Sequence, residues 1–509
     1  MFIRKKKNKS KSISVQILRK HLGKSVLVET VGCGKDEAKT EQLIHKAKQR
    51  VIELTSQQQF DFFTERDQIL HDYLALDEMV SVQNIGPKLI LENIFNDIGF
   101  SKIPEDLFKH IVLARLTYPA SKLKTTEYFE IHHNKIIDVG KIYRFLDRFD
   151  KNYKEQVEKI VYEHTKKISK NITIVFYDMT TLYFEAEDED DLRKIGFSKD
   201  GKFQNPQIML GLLVGKDGYP IAYDIFEGNT FEGKTLLPII EQTQAKYDFK
   251  KKPIVTADSG LFSKSNLKKL SEQKYQFIIG ARIKNEKGNV KKEILKRSKD
   301  LKHGNISLIV KEDKTKLIIS YSDKRARKDK YNREKGLKRL KKKIASGKLT
   351  KTAINSRGYN KFLKLENEIK IKLDTAKVKE DEKWDGLKGY LTNTDLSAKQ
   401  VIENYSHLWK IEKAFRISKT DLRIRPIYHY RKRRIEAHIC ICFAAYTVWK
   451  ELERLLKKHK MKMSPEKAIE FSKGIYQVSF SLPDSGKTKT AFAKLSEQQK
   501  LLLKNFYFG

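Results

Sequence analysis

Three acidic residues are the groups in this chain whose types and spacing allow chemistry. Asp178 closes NITIVFYD, an apolar run of the kind a fully buried strand shows, and Asp258 closes PIVTAD, a second such strand. Glu412 lies in YSHLWKIEKAFRISKTDL, where Tyr405, Glu412 and Lys419 recur every seven residues and share one face of a helix. A lone aspartate at a strand end ordinarily caps a helix or forms a turn. Two of them, joined by a helical glutamate, point elsewhere, because a carboxylate at a sheet rim is costly unless hydrated, paired or bound to metal. Three hard oxygen ligands from separate segments suit Mg²⁺ or Mn²⁺. Two such ions about 3.5 to 4 Å apart activate the attacking oxygen and steady the leaving oxygen of an in-line phosphoryl transfer. Asp178, Asp258 and Glu412 are therefore the candidate catalytic and metal-ligating residues.

The elements that must position them follow from periodicity. After Asp178, NPQIMLGLLVGKDGYPIAYDIFEG reads as two strands around Asp217-Gly218, a pair suited to a type I′ hairpin. A helix near 235–246, the strand ending at Asp258, a helix near 265–273 and the strand QFIIGARI complete a mixed α/β sheet core. Ahead of it, residues 1–60 read as a β-hairpin (SISVQIL and SVLVETV) followed by a helix, and 85–165 as several short helices able to form a DNA-binding unit. The core occupies 170–284. Residues 285–395 form a basic insertion with β-like pieces (ISLIVKE, KLIISYS, GLKGYLT) and the run KRARKDKYNREKGLKRLKKKI, either a solvated face or a phosphate-tracking surface. The core resumes over 396–460, where Ser397 and Gln400 form a capping box ahead of the signature stretch, and 461–509 reads as a helical tail.

Composition narrows the partner. The 509 residues carry a net charge of +39 with 39% hydrophobic residues, enough for two or three packed domains and strongly favourable for polyanions. The cysteines, Cys33, Cys440 and Cys442, are too few for a disulfide framework and imply a reducing compartment. MFIRKKKNKSKSISVQILR lacks the apolar core of a secretion signal. The apolar run 439–449 falls short of a membrane span of about 20 residues and reads as a buried helix, so no membrane is expected.

Against this background, FYDMTTLYFE, GFSKDGKFQNPQIMLGLLVGKDGYPIAYDIFEGNTFEGKT, VTADSG and YSHLWKIEKAFRISK resemble the blocks of bacterial insertion-sequence DDE transposases. The subgroup is the one with a β-strand insertion and a Tyr-Arg-Glu-Lys signature. SISVQIL and LARLTYPASKLKTTEYF resemble the same group, so the resemblance covers most of the chain. It implies an RNase H-like α/β core holding a metal triad, here Asp178, Asp258 and Glu412, with Mg²⁺ or Mn²⁺, two ions in all. It also implies a bacterial cytoplasmic, nucleoid-associated protein acting on double-stranded DNA, both terminal inverted repeats and target, as a dimer. Tyr405, Glu412 and Lys419 match the signature, while Leu408 stands where its Arg is expected; Lys410, Lys413 and Arg416 are candidates to compensate. The resemblance turns the signature face toward DNA, with Trp409 matching an aromatic on which a flipped base stacks during hairpin formation. Trp384 is either a second stacking partner or an apolar anchor for the insertion; Arg282 and Lys284 are candidate phosphate contacts.

Three other features carry less. SLPDSGKTKT has Ser481 where a phosphate-binding loop needs glycine. His438, Cys440 and Cys442 lie on an apolar helix without a fourth ligand and read as core. The acidic run from Glu185 to Asp191 reads as a solvated loop. The reading is a cut-and-paste DNA transposase; its alternatives are a catalytically idle DNA-binding regulator and a metal-dependent nuclease without strand transfer.

Overall fold

The computed structural model describes all residues except 9, 11, 22, 60–79, 248, 250, 262–263, 300, 348, 356, 367–369, 482–486 and 508–509. Residues 482–486, part of the rejected phosphate-loop decoy, thus lie outside the described residues. The chain divides into two compact units: Met1–Val82 with Gln477–Ala491, and Gln83–Tyr476 with Phe492–Gly509. In the first, β1 (Phe2–Lys7), β2 (Ile13–His21) and β3 (Lys24–Gly34) form an antiparallel sheet, where the sequence suggested only β2 and β3. On it α1 (Glu37–Gln59) packs Leu43, Ile44 and Ala47 against Val15 and Ile17. A second small sheet has the order β16-β15-β4, with β4 at Val80–Asn84, β15 at Tyr476–Ser481 and β16 at Thr488–Phe492. The expected helical tail therefore contains two strands; YQVSFS alternates in a way the helical reading passed over.

The second unit opens with helices α2 (Asn93–Ile98), α3 (Asp106–Thr117), α4 (Lys122–His133) and α5 (Val139–Ser169). KIYRFLDRF, read as a short helix, is the start of the 31-residue α5, whose N-cap Asp138 accepts from the Lys141 N–H.

An eight-stranded mixed sheet follows, in the order β10-β11-β14-β9-β8-β5-β6-β7. Its strands are β5 (Ile174–Tyr183), β6 (Gln207–Gly215), β7 (Pro220–Glu227), β8 (Ile254–Ala257), β9 (Phe277–Ala281), β10 (Ile306–Val310), β11 (Lys316–Tyr321) and β14 (Leu387–Thr392). Pairs β5·β8 and β8·β9 are parallel, and the flanking pairs are antiparallel. Helices α6 (Leu236–Lys246) and α7 (Lys264–Glu272) make the crossovers.

Two expectations need correction here. The strands of the insertion do not form a separate β domain: β10, β11 and β14 extend the core sheet beyond β9, because β14 pairs Gly389 with Ala281 and buries Leu387, Tyr390 and Leu391. Among the described residues of the insertion, only β12 (Leu363–Glu366) with β13 (Lys370–Leu373) makes a ladder of its own. The β6–β7 turn is not type I′, since Gly218 has a positive φ of 77° and Asp217 does not. Gly218 donates to the Gly215 carbonyl and Gly215 to Tyr219, a three-residue arrangement with glycine at the left-handed position.

The remaining helices are α8 (Gly288–Ser298), ahead of β10, and then the basic α9 (Asp323–Ala345), α10 (Thr375–Glu382), α11 (Ala398–Ser406), α12 (Trp409–Arg416), α13 (Lys432–Lys458), α14 (Pro465–Lys473) and α15 (Glu497–Phe506). The apolar run 439–449 is in α13, which lies buried against α5 and β7. Among the described residues no helix is long and apolar enough to cross a membrane.

Candidate active site

The period-2 alternation of β5 divides its side chains between two cores. Val175, Tyr177 and Met179 pack with α6, whereas Ile174, Phe176, Leu182 and Phe184 join the core that holds Ile411 and Phe415 of α12 and Tyr405 of α11. Asp178 has the parity of the second set, on the face that α12 covers. The parallel register pairs Tyr177 with Ala257, so Asp178 is the next residue of β5 and Asp258 the first residue past the end of β8. Asp178 does not end its strand: β5 continues to Tyr183, paired to β6, and it is β8 that stops at Ala257. The site lies where β5 loses one neighbour.

Asp178 is half-buried, and its pKa is pushed up to about 6. Burial is the main cause, with the charges of Glu232 and Glu412 adding, against opposing contributions from Lys199 and the Met179 N–H. Asp258 is exposed; its Oδ1 accepts from the Ser259 N–H at 2.7 Å and from the Tyr405 hydroxyl at 3.1 Å. Glu412, also exposed, is felt electrostatically at Asp178, Tyr405 and Lys388. The three acids thus face one locality from three elements. As they stand, no group of three His, Cys, Asp or Glu among the described residues is drawn together tightly enough to hold a metal ion.

The signature stretch is not one continuous helix. Ser397 and Gln400 do form the capping box of α11, but α11 ends at Ser406, α12 starts at Trp409 and a π turn covers Ile417–Asp421. The seven-residue line is broken twice. Tyr405 is buried at 7% exposure, its ring against Tyr390 and its hydroxyl spent on Asp258, so it faces the site's own acid and not an open surface. Burial and the Asp258 charge push its pKa up. Gly280 on β9 gives it room: a Cβ there would stand 2.6 Å from the Tyr405 Oη. Lys419, expected on the DNA face, is paired with Asp200 at 3.0 Å, and Arg425 reaches the same carboxylate at 3.3 Å.

Leu408, where the resemblance leads one to expect an arginine, lies in the apolar core at the α11–α12 break. Two candidate substitutes are engaged elsewhere, Lys410 with the Lys216 carbonyl and Lys413 with Glu453. Arg416 is exposed, as is Trp409 at 53%. Trp384 is buried at 8%, packed with Phe277, Ile279 and Leu391, so the anchoring reading fits it and stacking on an open indole does not. Lys284 pairs with Asp381, and Arg282 lines a cavity of about 820 Å³ that opens beside Asp258.

Three residues that the sequence reading left unweighed also stand here. Lys199 donates to the Met179 carbonyl at 2.7 Å and pairs with Glu232 at 2.8 Å, placing an ammonium beside Asp178. Glu232 sits in the turn after β7, with Oε2 3.8 Å from where a Cβ on Gly260 would be. Lys388 on β14 lies over the Tyr405 ring; burial and Arg325 lower its pKa, while Asp258 and Glu412 oppose that. Lys199 and Glu232 lie within the quoted blocks GFSKDGKF and FEGKT, and Lys388 shares a strand face with Tyr390 in LKGYLT, the signals from which they were readable.

The model of the family described as "Transposase DDE domain" matches residues 169–448, which contain all of these positions. Seven solved chains match. One is the piggyBac transposase in a cryo-EM structure of its synaptic complex with hairpin DNA, 11% identical, covering 78% of this chain and 77% of that chain with a TM-score of 0.39. No curated protein matches.

Proposed function

We propose, for a chain that belongs to the family of transposases with a DDE domain, that its reaction is metal-dependent cleavage and strand transfer of the ends of an insertion sequence, cut-and-paste DNA transposition. The observation that carries this reading is the parallel pairing of β5 with β8, which sets Asp178 beside Asp258 on the face that α12 covers with Glu412. We read the β7-β6-β5-β8-β9 part of the sheet as the RNase H-like core, extended by β14, β11 and β10.

Donor chemistry and electrostatics fit a divalent cation. The ligands are hard oxygens, and Asp178 is a carboxylate whose burial and acidic neighbours disfavour its charge, a penalty that a nearby dication relieves. In this reading Asp178, Asp258 and Glu412 hold two Mg²⁺ or Mn²⁺ ions, which when bound supply charge neutralisation and a more acidic attacking water or hydroxyl. The chain's own residues do the positioning. Tyr405 and the Ser259 N–H fix one Asp258 oxygen. Lys199 supplies positive charge that favours ionised Asp178. Exposed Arg416 and Trp409 face the DNA end, the arginine on phosphate and the indole as a surface for an unstacked base in a hairpin step. Two ends must be held together, so the active species is a dimer on DNA. Leu408, whose departure from the expected arginine is the feature that favours the idle-regulator alternative, packs in the apolar core.

The test is cleavage of duplex DNA carrying the sequences that flank the reading frame, with Mg²⁺ or Mn²⁺, by wild type and Glu412→Gln. End-specific nicks and joined products from wild type, absent from the variant, are expected. Nicks without joined products would make it a nuclease; end binding without cleavage by wild type would make it a regulator.

A further inference from the structure

We propose that Lys388 grips a DNA phosphate in the cavity beside Asp258, supplying the cation that the signature lacks at Leu408. The proposal rests on the reading of the site as a DNA strand-transfer centre. Lys388 and Tyr390 share one face of β14, and β14 lies next to β9 and two strands from β8, whose last residue precedes Asp258. The Lys388 ammonium stands 4.5 Å from the centroid of the Tyr405 ring and 5.3 Å from that of Tyr390, and the two rings meet edge to face at 5.1 Å. It is held on two π surfaces, an attraction weaker than a desolvated ion pair.

What sets Lys388 apart is that the other lysines named above, and Lys361 beside it in the cavity, are engaged. Lys284 and Lys361 both pair with Asp381, Lys199 with Glu232, Lys413 with Glu453 and Lys419 with Asp200, while Lys410 donates to a carbonyl. Lys388 makes no ion pair or hydrogen bond among the described residues, although it is partly buried and feels the charges of Asp258 and Glu412. Three N–H donors are available. Arg325 of α9 lines the same cavity and is joined to Asp329 only loosely, at 3.6 Å. Two cations with spare donors, lining the same 820 Å³ cavity as Asp258, make a subsite for an anion. The anion a transposase brings to that place is the phosphodiester adjoining the bond under attack. A phosphate set there screens the two cations from each other and receives hydrogen bonds from both.

The experiment compares wild type, Lys388→Met and Lys388→Arg. Methionine keeps an unbranched stem over the two rings and removes only the charge; arginine keeps the charge. Binding of a fluorescein-labelled duplex carrying the flanking sequence is titrated in EDTA at several salt concentrations, and cleavage of the same duplex is assayed with Mg²⁺. Near-UV circular dichroism checks that each variant is folded. Lys388→Met is expected to bind several-fold more weakly, with a salt slope smaller by about 0.9, the loss of one phosphate contact, and Lys388→Arg to keep the wild-type slope. If wild type binds and cleaves while folded Lys388→Met keeps the full slope, Lys388 is only an internal counter-ion and the proposal is overturned alone. Should methionine prevent folding, a Lys388→Arg slope that departs from wild type overturns it equally. If wild type neither binds nor cleaves the duplex, the transposase reading falls and takes the proposal with it.

Discussion

Asp178→Asn is expected to stabilise the protein while abolishing its reaction, and the size of the gain follows from the electrostatics of β5. The Asp178 carboxyl ionises near 3.8 when unfolded and is pushed up to about 6 in the fold, chiefly by burial and further by Glu232 and Glu412. Because the folded pKa is raised, the native state holds this proton more tightly than the unfolded chain. Stability is therefore lost as pH rises from 3.8 through 6, and the full cost is present above that window. Roughly two units at about 1.4 kcal/mol each put the cost near 3 kcal/mol at pH 7.5. Asparagine has no charge to desolvate, its carbonyl can still accept the Met179 N–H, and Lys199 keeps Glu232 as its partner. The assay is urea unfolding in EDTA followed by tryptophan fluorescence. Trp384, Trp409 and Trp449 all lie in the unit that contains Asp178, so the signal reports that unit. The variant should gain up to about 3 kcal/mol at pH 7.5 and close to nothing at pH 4. Adding Mg²⁺ should largely cancel the variant's advantage, since a ligand at 100 times its dissociation constant adds about 2.7 kcal/mol to the protein that binds it. A variant less stable than wild type at pH 7.5, or a gain that does not change with pH, would refute the strained-acid argument. Equal stabilisation of both proteins by Mg²⁺ would remove Asp178 from the ligand set.

Two further perturbations test the surroundings of the site. Gly280→Ala puts a Cβ 2.6 Å from the Tyr405 Oη and 3.4 Å from the Asp258 Oδ1, so the hydroxyl must leave its acceptor, at a cost of roughly 1 to 3 kcal/mol. Adding Tyr405→Phe removes the clashing atom, and the double variant should be more stable than Gly280→Ala alone in the same urea assay; additive losses would show that the crowding is elsewhere. Burial alone would raise the Glu451 pKa, but hydrogen bonds from His164, Arg454 and Tyr219 outweigh it and hold the carboxyl at about 2. Its contribution is present above the unfolded value of 4.5 and lost as pH falls through 2, so Glu451→Gln should cost on the order of 3 kcal/mol at pH 7 and little at pH 2, as read by unfolding at the two pH values.

How much of this was legible depends on whether the deciding interaction is local. The capping box of α11, the strand before Asp258 and the buried stretch of α13 are written in short-range patterns that the sequence shows, although that strand stops at Ala257, one residue short of the expected end. Beyond Asp178, MTTLY reads as a departure from the apolar run, yet it stays a strand because β6 pairs with it through Tyr183, a contact no local pattern records. The strands of the insertion were visible as strands but not as members of the core sheet, since that membership is decided by β14 pairing with β9 across more than a hundred residues. The helix break at His407 and Leu408 lacks a proline or glycine to announce it. The backbone stays in the right-handed helical region through both residues, tightened to bonds three residues back, and Leu408 packs into the core there.

That break also recasts what the seven-residue spacing means. On an unbroken helix Tyr405, Glu412 and Lys419 would project side by side, and their common target would have to lie outside the protein. With the helix divided, each finds a different environment: Tyr405 donates to Asp258, Glu412 stays exposed within electrostatic reach of Asp178, and Lys419 is taken up by Asp200. The spacing therefore leads the three side chains to different partners, and Lys199 and Lys388, which act on the acids, come from other segments. Lys199 stands beside Asp178 from the β5–β6 connection, and Lys388 stands near Asp258 and Glu412 from β14. Two lysines supplied from outside the signature reduce the mutual repulsion of three carboxylates before any dication arrives. A variant that removes either one should make the acids harder to keep together, so both belong among the positions that determine how the site is assembled.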